Sequence, residues 1–153
     1  MNKGMKFRIR KTGVLMLAVT AVLMVETVPV IGATFAKPLA GMIAQGKETF
    51  LHNTFGGRGM TCNACHTQAG LGPTIVPGSS MKGASLSNAA AVFPRYKAND
   101  GKVMTLADEI HGCIQGALGG KAPSYDSNTM RALETYITSL SQGKRMQMGG
   151  AYK

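Results

Sequence analysis

Apolar residues along this chain fall into segments of unlike period. Between Gly13 and Val25 they run with little interruption, a pattern that belongs neither to a helical stripe nor to an alternating strand. From Lys37 to Asn53, Leu39, Met42, Ile43, Phe50 and Leu51 give a rough helical face, with Pro38 suited to a first turn. Farther on, Leu106, Ile110, Cys113, Ile114 and Ala117 recur at i, i+4 and i+7. They predict a helix from Thr105 to about Leu118, stopped by Gly119-Gly120, with Thr105 as N-cap and Asp108 as an acidic variant of the capping box. Met130, Leu133, Ile137 and Leu140 predict a last helix from about Ser127 to Ser141, which Gly143 stops. The intervals are different in kind. Gln68 to Ser80 carries Gly70, Gly72, Pro73, Pro77 and Gly78 and reads as loop; Ser79 to Asn99 is poorly periodic. Within it, Ala89 to Phe93 suggests a short helix and Phe93-Pro94-Arg95-Tyr96 a compact aromatic turn. No segment has the alternation that would place a strand.

Charge assigns the first apolar run. Lys3, Lys6, Arg8, Arg10 and Lys11 precede it without an acid, and small residues follow at Ala33 and Ala36. The run is about a dozen residues, too short for a bilayer core of roughly 30 Å. Residues 1–36 therefore read as a cleavable secretion signal, cut after Ala36 with Thr34 at the minus-three position, or else after Ala33. An uncleaved N-terminal anchor is the competing reading. On the first reading the protein is exported to the periplasm, 37–143 is the folded domain and 144–153 a basic C-terminal tail. Beyond Ala36, twelve Lys and Arg face six Asp and Glu, so the full-chain charge of +10 falls to +6. A moderately basic surface suits acidic redox proteins or small anions. No basic stripe interleaved with aromatics supports nucleic acid, and no stable membrane span is expected after processing.

The chemistry concentrates in Cys62-Asn63-Ala64-Cys65-His66. C-x-x-C-H is the attachment signature of a c-type haem, in which both thiols bond to the macrocycle and the adjacent histidine reaches the iron. The spacing suits that chemistry, because one helical turn carries both sulfurs to the same side. Zinc would need two more ligands, and only Cys113, His52 and His111 remain. A thioredoxin-like pair would sit in a βαβ pattern, which is absent, and has no use for His66. A disulfide between Cys62 and Cys65 would close a very small loop. One covalent haem c, held by Cys62 and Cys65 with His66 on the iron, is the reading that uses all three residues. The apolar helices are too few to bury much without it.

If two of the three cysteines hold haem, Cys113 is left over in an exported chain. It lies on the interior face of the predicted Thr105 helix, whereas His111 is roughly 200° around from it, so both cannot address one iron. Met81 and Met104 are methionine candidates for the sixth position, and a thiolate there lowers the potential where a thioether raises it. Met146 and Met148 in the tail are badly placed, and His52 reads as a surface or core residue. A buried inert thiol is the competing reading for Cys113.

Two resemblances sharpen these expectations. Gly72-Pro73 shortly after the attachment motif resembles class I cytochromes c, which implies that the Pro73 carbonyl accepts the free N–H of His66 and orients it; otherwise Pro73 is a turn residue. Then Phe93-Pro94-x-Tyr96, Gly101-Lys102-Val103-Met104-Thr105-Leu106, Ile110-x-Gly112-Cys113, Gly120-Lys121, Tyr125-Asp126-Ser127, Met130, Leu133 and Tyr136-Ile137 resemble the catalytic haem domain of thiosulfate dehydrogenases and the A subunit of the Sox sulfur-oxidation cytochrome. That resemblance implies an all-α, class I cytochrome c-like fold of three to four helices around one haem, with Cys113 as distal iron ligand and participant in sulfur chemistry. It also implies an exported carrier of electrons in inorganic sulfur oxidation or, as the alternative, the catalytic subunit of a thiosulfate dehydrogenase-like oxidoreductase. A haem-based redox or gas sensor is a further alternative. The chain departs from the family pattern at Glu109 and Gly116, where arginines are expected to hold a sulfur oxyanion, and at His111, where an asparagine is expected. Arg95, Lys102 or Lys121 are the candidates to replace them. With a single attachment motif, an enzyme of this kind needs a partner cytochrome or other electron-transfer protein.

Overall fold

The computed structural model describes residues 32–80 and 82–151, with side chains from Pro38 onward. The basic start, the apolar run and Met81 lie outside the described residues. The first helix, α1, spans Gly32–His52, five residues earlier than the expected Lys37. Pro38 thus sits inside α1 and not in its first turn. Helix α2 is the single turn Cys62–Cys65, α3 is Ala89–Val92, α4 is Leu106–Gly116 and α5 is Asn128–Ser139. No described helix is long and apolar enough to cross a membrane.

Helix α1 packs along α5, and α4 and α3 lean on α5 as well. The crossing has a steric cause. Gly46 is buried, and a Cβ there would lie 2.0 Å from the Ala132 carbonyl oxygen and 2.6 Å from the Tyr136 Cβ; only glycine lets the two backbones approach this closely. Beside it, the Phe50 and Tyr136 rings meet edge to face at 5.5 Å, the arrangement aromatic quadrupoles favour. Phe50, Val92, Ile114, Met130 and Leu133 are the largest fully buried side chains. Of the stripe predicted for α5, Met130, Leu133 and Ile137 are buried, while Leu140 caps the helix end and is half-buried. On α4, Leu106, Ile110 and Ile114 are buried, but Ala117 is exposed and Leu118 takes its place, because the helix ends at Gly116 and the chain turns.

The expectation of an all-α fold needs amending. Among the described residues, four strands of two or three residues pair in two antiparallel ribbons: β1 (Thr74–Ile75) with β2 (Lys82–Gly83), and β3 (Arg95–Lys97) with β4 (Lys102–Met104). Strands this short cannot show a two-residue period in sequence. Arg95 and Tyr96, expected in a compact turn, belong to β3. The stretch around Gln147 and Gly149 is tied to the core, since their amides donate to the carbonyls of Ala91 (2.7 Å) and Val92 (3.0 Å).

Helix α4 begins as its sequence predicts. Thr105 Oγ1 accepts from the Asp108 amide at 3.1 Å, while the Asp108 carboxylate accepts from the Thr105 amide at 2.9 Å. The bonds that the carboxylate accepts from the Thr105 amide, the largest cause, and from the Thr105 hydroxyl at 2.7 Å hold it below the usual aspartate range. A depressed folded pKa stabilises above the unfolded value of about 3.9 and ceases to do so as pH falls through the folded one. Asp108→Ala is therefore expected to cost about 1 kcal/mol at neutral pH, less in acid, measured by urea denaturation across pH. The site is solvent-exposed, so salt screens part of the effect.

Candidate cofactor site

The single turn Cys62–Cys65 is held from outside. In the loop before it, the Arg58 amide donates to the Leu118 carbonyl and the Lys121 amide to the Phe55 carbonyl, each at 2.9 Å. This staples the approach to the end of α4. Within the turn, the His66 amide donates to the Cys62 carbonyl at 2.9 Å, and Asn63 Oδ1 accepts from the Ala69 amide at 2.9 Å. Tyr136 of α5 donates its hydroxyl to the Ala69 carbonyl at 2.6 Å. The motif is thus fixed to both α4 and α5.

Cys62, His66 and Cys113 line one largely apolar cavity of about 240 Å³ with Phe50, Leu106, Ile110, Leu133 and Ile137. Cys62 and Cys113, 51 positions apart in sequence, thus face the same cavity. None of the three cysteines is in a disulfide, and all are partly buried. Burial pushes the Cys62 thiol up to about 12, with the nearby Cys113 adding to it. Cys113 is also raised, first by burial and then by Glu109. These are neutral thiols, not poised nucleophiles, so Cys113 would ionise only for a cation strong enough to displace its proton. Burial lowers the His66 pKa, keeping its imidazole neutral as a metal ligand requires.

His66 Nδ1 lies 3.0 Å from Thr74 Oγ1, and Thr74 Oγ1 donates its own hydrogen to the Ala84 carbonyl at 2.6 Å. The hydroxyl must then accept from His66, which puts the imidazole proton on Nδ1 and leaves the Nε2 lone pair for a metal. The carbonyl of Pro73 has another donor: it accepts from Thr67 Oγ1 at 2.8 Å. The group facing His66 Nδ1 is thus the hydroxyl of Thr74, one residue past the expected Pro73. Sequence carried no period or motif that singles out a threonine after Gly-Pro.

The remaining candidates separate. His111 lies outside the cavity and stacks on Tyr125 at 4.8 Å and 9°. His52 is exposed and pairs with Glu48 at 3.6 Å. Met104 is buried and lines the polar cleft described next, not the cavity; Met146 and Met148 are exposed. Among the described residues no three His, Cys, Asp or Glu side chains group as a metal site. The set fits a covalent haem: two thiols one turn apart, a neutral imidazole with a free Nε2, an apolar cavity and a third sulfur.

A second, polar cleft lies behind α4, lined by Lys97, Asp100, Lys102, Asp108, His111 and Tyr125. Glu109 and Cys113 line both this cleft and the apolar cavity. Lys97 lies 3.5 Å from Glu109 and 3.2 Å from Asp100. The carboxylate that stands where an arginine was expected thus engages an ammonium of its own chain. Of the proposed replacements, Lys102 lines the cleft, whereas Arg95 and Lys121 line neither space.

Residues 45–146 match the SoxA/TsdA cytochrome c domain, and the chain belongs to that family. It is 34% identical over 86 residues to a thiosulfate dehydrogenase of Psychrobacter arcticus, a match covering 56% of this chain and 24% of the relative. With the L-cysteine S-thiosulfotransferase subunit SoxA of Hydrogenobacter thermophilus it shares 28% identity over 104 residues, covering 68% and 35%. The thiosulfate dehydrogenase TsdBA of Marichromatium purpuratum superposes with a TM-score of 0.54 at 26% identity, over 73% of this chain and 24% of that one. The chain therefore spans about a quarter to a third of the length of these relatives.

Proposed function

We propose that this member of the SoxA/TsdA cytochrome c domain family is an exported single-haem c-type cytochrome that carries electrons in the oxidation of inorganic sulfur compounds. The observation that carries the proposal is the shared cavity of Cys62, His66 and Cys113. Cys62 and Cys65 would form the thioether bonds, and His66 Nε2 and the Cys113 sulfur would be the ligands to the iron. When bound, haem supplies a one-electron couple, and a thiolate ligand sets that couple low. Phe50, Leu106, Ile110, Leu133 and Ile137 exclude water from the site. Residues 1–36 act as the secretion signal, 37–143 form the haem domain and 144–153 the basic tail. A partner cytochrome or other electron-transfer protein receives the electrons.

The polar cleft that opens on Cys113 favours a second reading, an oxidoreductase acting on thiosulfate. Joining two thiosulfates through a new sulfur–sulfur bond to give tetrathionate releases two electrons, while a single haem stores one. The partner would therefore have to drain the site twice per turnover. On either reading the mature protein is expected to retain one haem mass per chain after denaturation and acid extraction, read by mass spectrometry. A chain with no bound haem, or with haem that acid extracts, overturns both readings. Tetrathionate formation with an artificial acceptor then decides between them: a carrier shows none.

A further inference from the structure

We infer that Thr74, and not the carbonyl of Pro73, is the positioning residue of His66, acting as a hydroxyl relay from the imidazole to the Ala84 carbonyl. The inference rests on the proposed ligation of haem iron by His66. Its observations are independent of that proposal. The hydroxyl is 3.0 Å from His66 Nδ1 and 2.6 Å from the Ala84 carbonyl oxygen. The backbone aligns the two residues, since His66 and Thr74 pair as an isolated antiparallel bridge. On its other edge Thr74 pairs with Gly83 in the β1–β2 ribbon. A Cβ at Gly83 would lie 3.3 Å from the Thr74 Cβ, so the glycine leaves room for that side chain. Pro73 is engaged elsewhere by Thr67.

The direction of the relay determines its effect. Because the Thr74 hydrogen points at Ala84, its oxygen faces His66 as an acceptor only, and the hydrogen bond it donates onward polarises that oxygen further. Accepting from Nδ1–H enriches the imidazole in electron density at Nε2 and fixes the ring plane. A more strongly donating ligand stabilises the oxidised metal, so the Thr74 hydroxyl lowers the midpoint potential. The ribbon β1–β2 is then a device for tuning the proximal ligand, which accounts for so short a sheet beside the motif.

The test uses the haem-loaded mature protein and begins with covalent haem content, which reports on the underlying proposal alone. A chain without haem in the wild type defeats that proposal and this inference with it. Given haem, Thr74→Val is expected to raise the midpoint potential and speed hydrogen exchange at His66 Nδ1, while Thr74→Ser keeps both near wild type. Equal potentials and exchange in wild type and Thr74→Val overturn the inference and leave the haem assignment standing. If Thr74→Val takes up no haem, the wild type decides by itself. In the reduced, diamagnetic protein the His66 Nδ1–H should show a nuclear Overhauser contact to the Thr74 side chain. A ring proton that instead lies against Pro73 overturns the relay.

Discussion

Gly46→Ala is expected to destabilise the protein by roughly 3 kcal/mol or more, at the upper end of overpacking effects. The cause is local. The new methyl would sit 2.0 Å from the Ala132 carbonyl oxygen and 2.6 Å from its carbon, and backbone cannot swing aside as a long side chain can. Helix α1 must therefore lift from α5, loosening Phe50 against Tyr136 and, through the Tyr136 bond to Ala69, the segment that follows the haem motif. Gly41 in the same helix supplies the control. It is exposed with nothing within 4 Å of its Cβ position, so Gly41→Ala should gain up to about 1 kcal/mol from helix propensity. Urea denaturation of the two haem-loaded variants beside wild type measures both. Equal stability of the two would mean that α1 and α5 do not cross at Gly46.

The elements legible in sequence were those whose signals are local. Thr105 and Asp108 announced the start of α4, and the spacing of Met130, Leu133 and Ile137 announced the buried face of α5, because capping and helical periodicity depend on residues three and four apart. The Cys62-x-x-Cys65-His66 motif behind the proposed site is local in the same way, and the family likeness rested on motifs that can be read directly. What could not be read depends on contacts between distant segments. That Thr74 Oγ1 faces His66 Nδ1 depends on one residue of register, in the bridge between His66 and Thr74. The ribbons are too short to show a period, and the tail is held to Ala91 and Val92 by backbone amides that carry no side-chain signature. Glu109 was visible as a departure, but its engagement with Lys97 depends on β3 lying beside α4.

Cys113→Ala carries the largest functional consequence. In the cavity the thiol is neutral and raised by burial and by Glu109, so thiolate ligation has to come from the iron, whose charge offsets both effects. If Cys113 holds that place, the ferric protein should show a low-spin thiolate signal in electron paramagnetic resonance that disappears in Cys113→Ala. The midpoint potential should rise with the loss of electron donation. Haem content should stay at one per chain, because the thioether bonds are made by Cys62 and Cys65. Any turnover of thiosulfate should fall by roughly a thousandfold or more, as when an essential reacting group is removed. An unchanged spectrum showing a thioether band would instead make Cys113 a buried thiol and the protein an ordinary carrier. A lost signal with unchanged turnover would separate ligation from sulfur chemistry and place the reaction elsewhere in the polar cleft. The three outcomes differ in observables that folding alone does not move, so the variant tests the ligand and the chemistry separately.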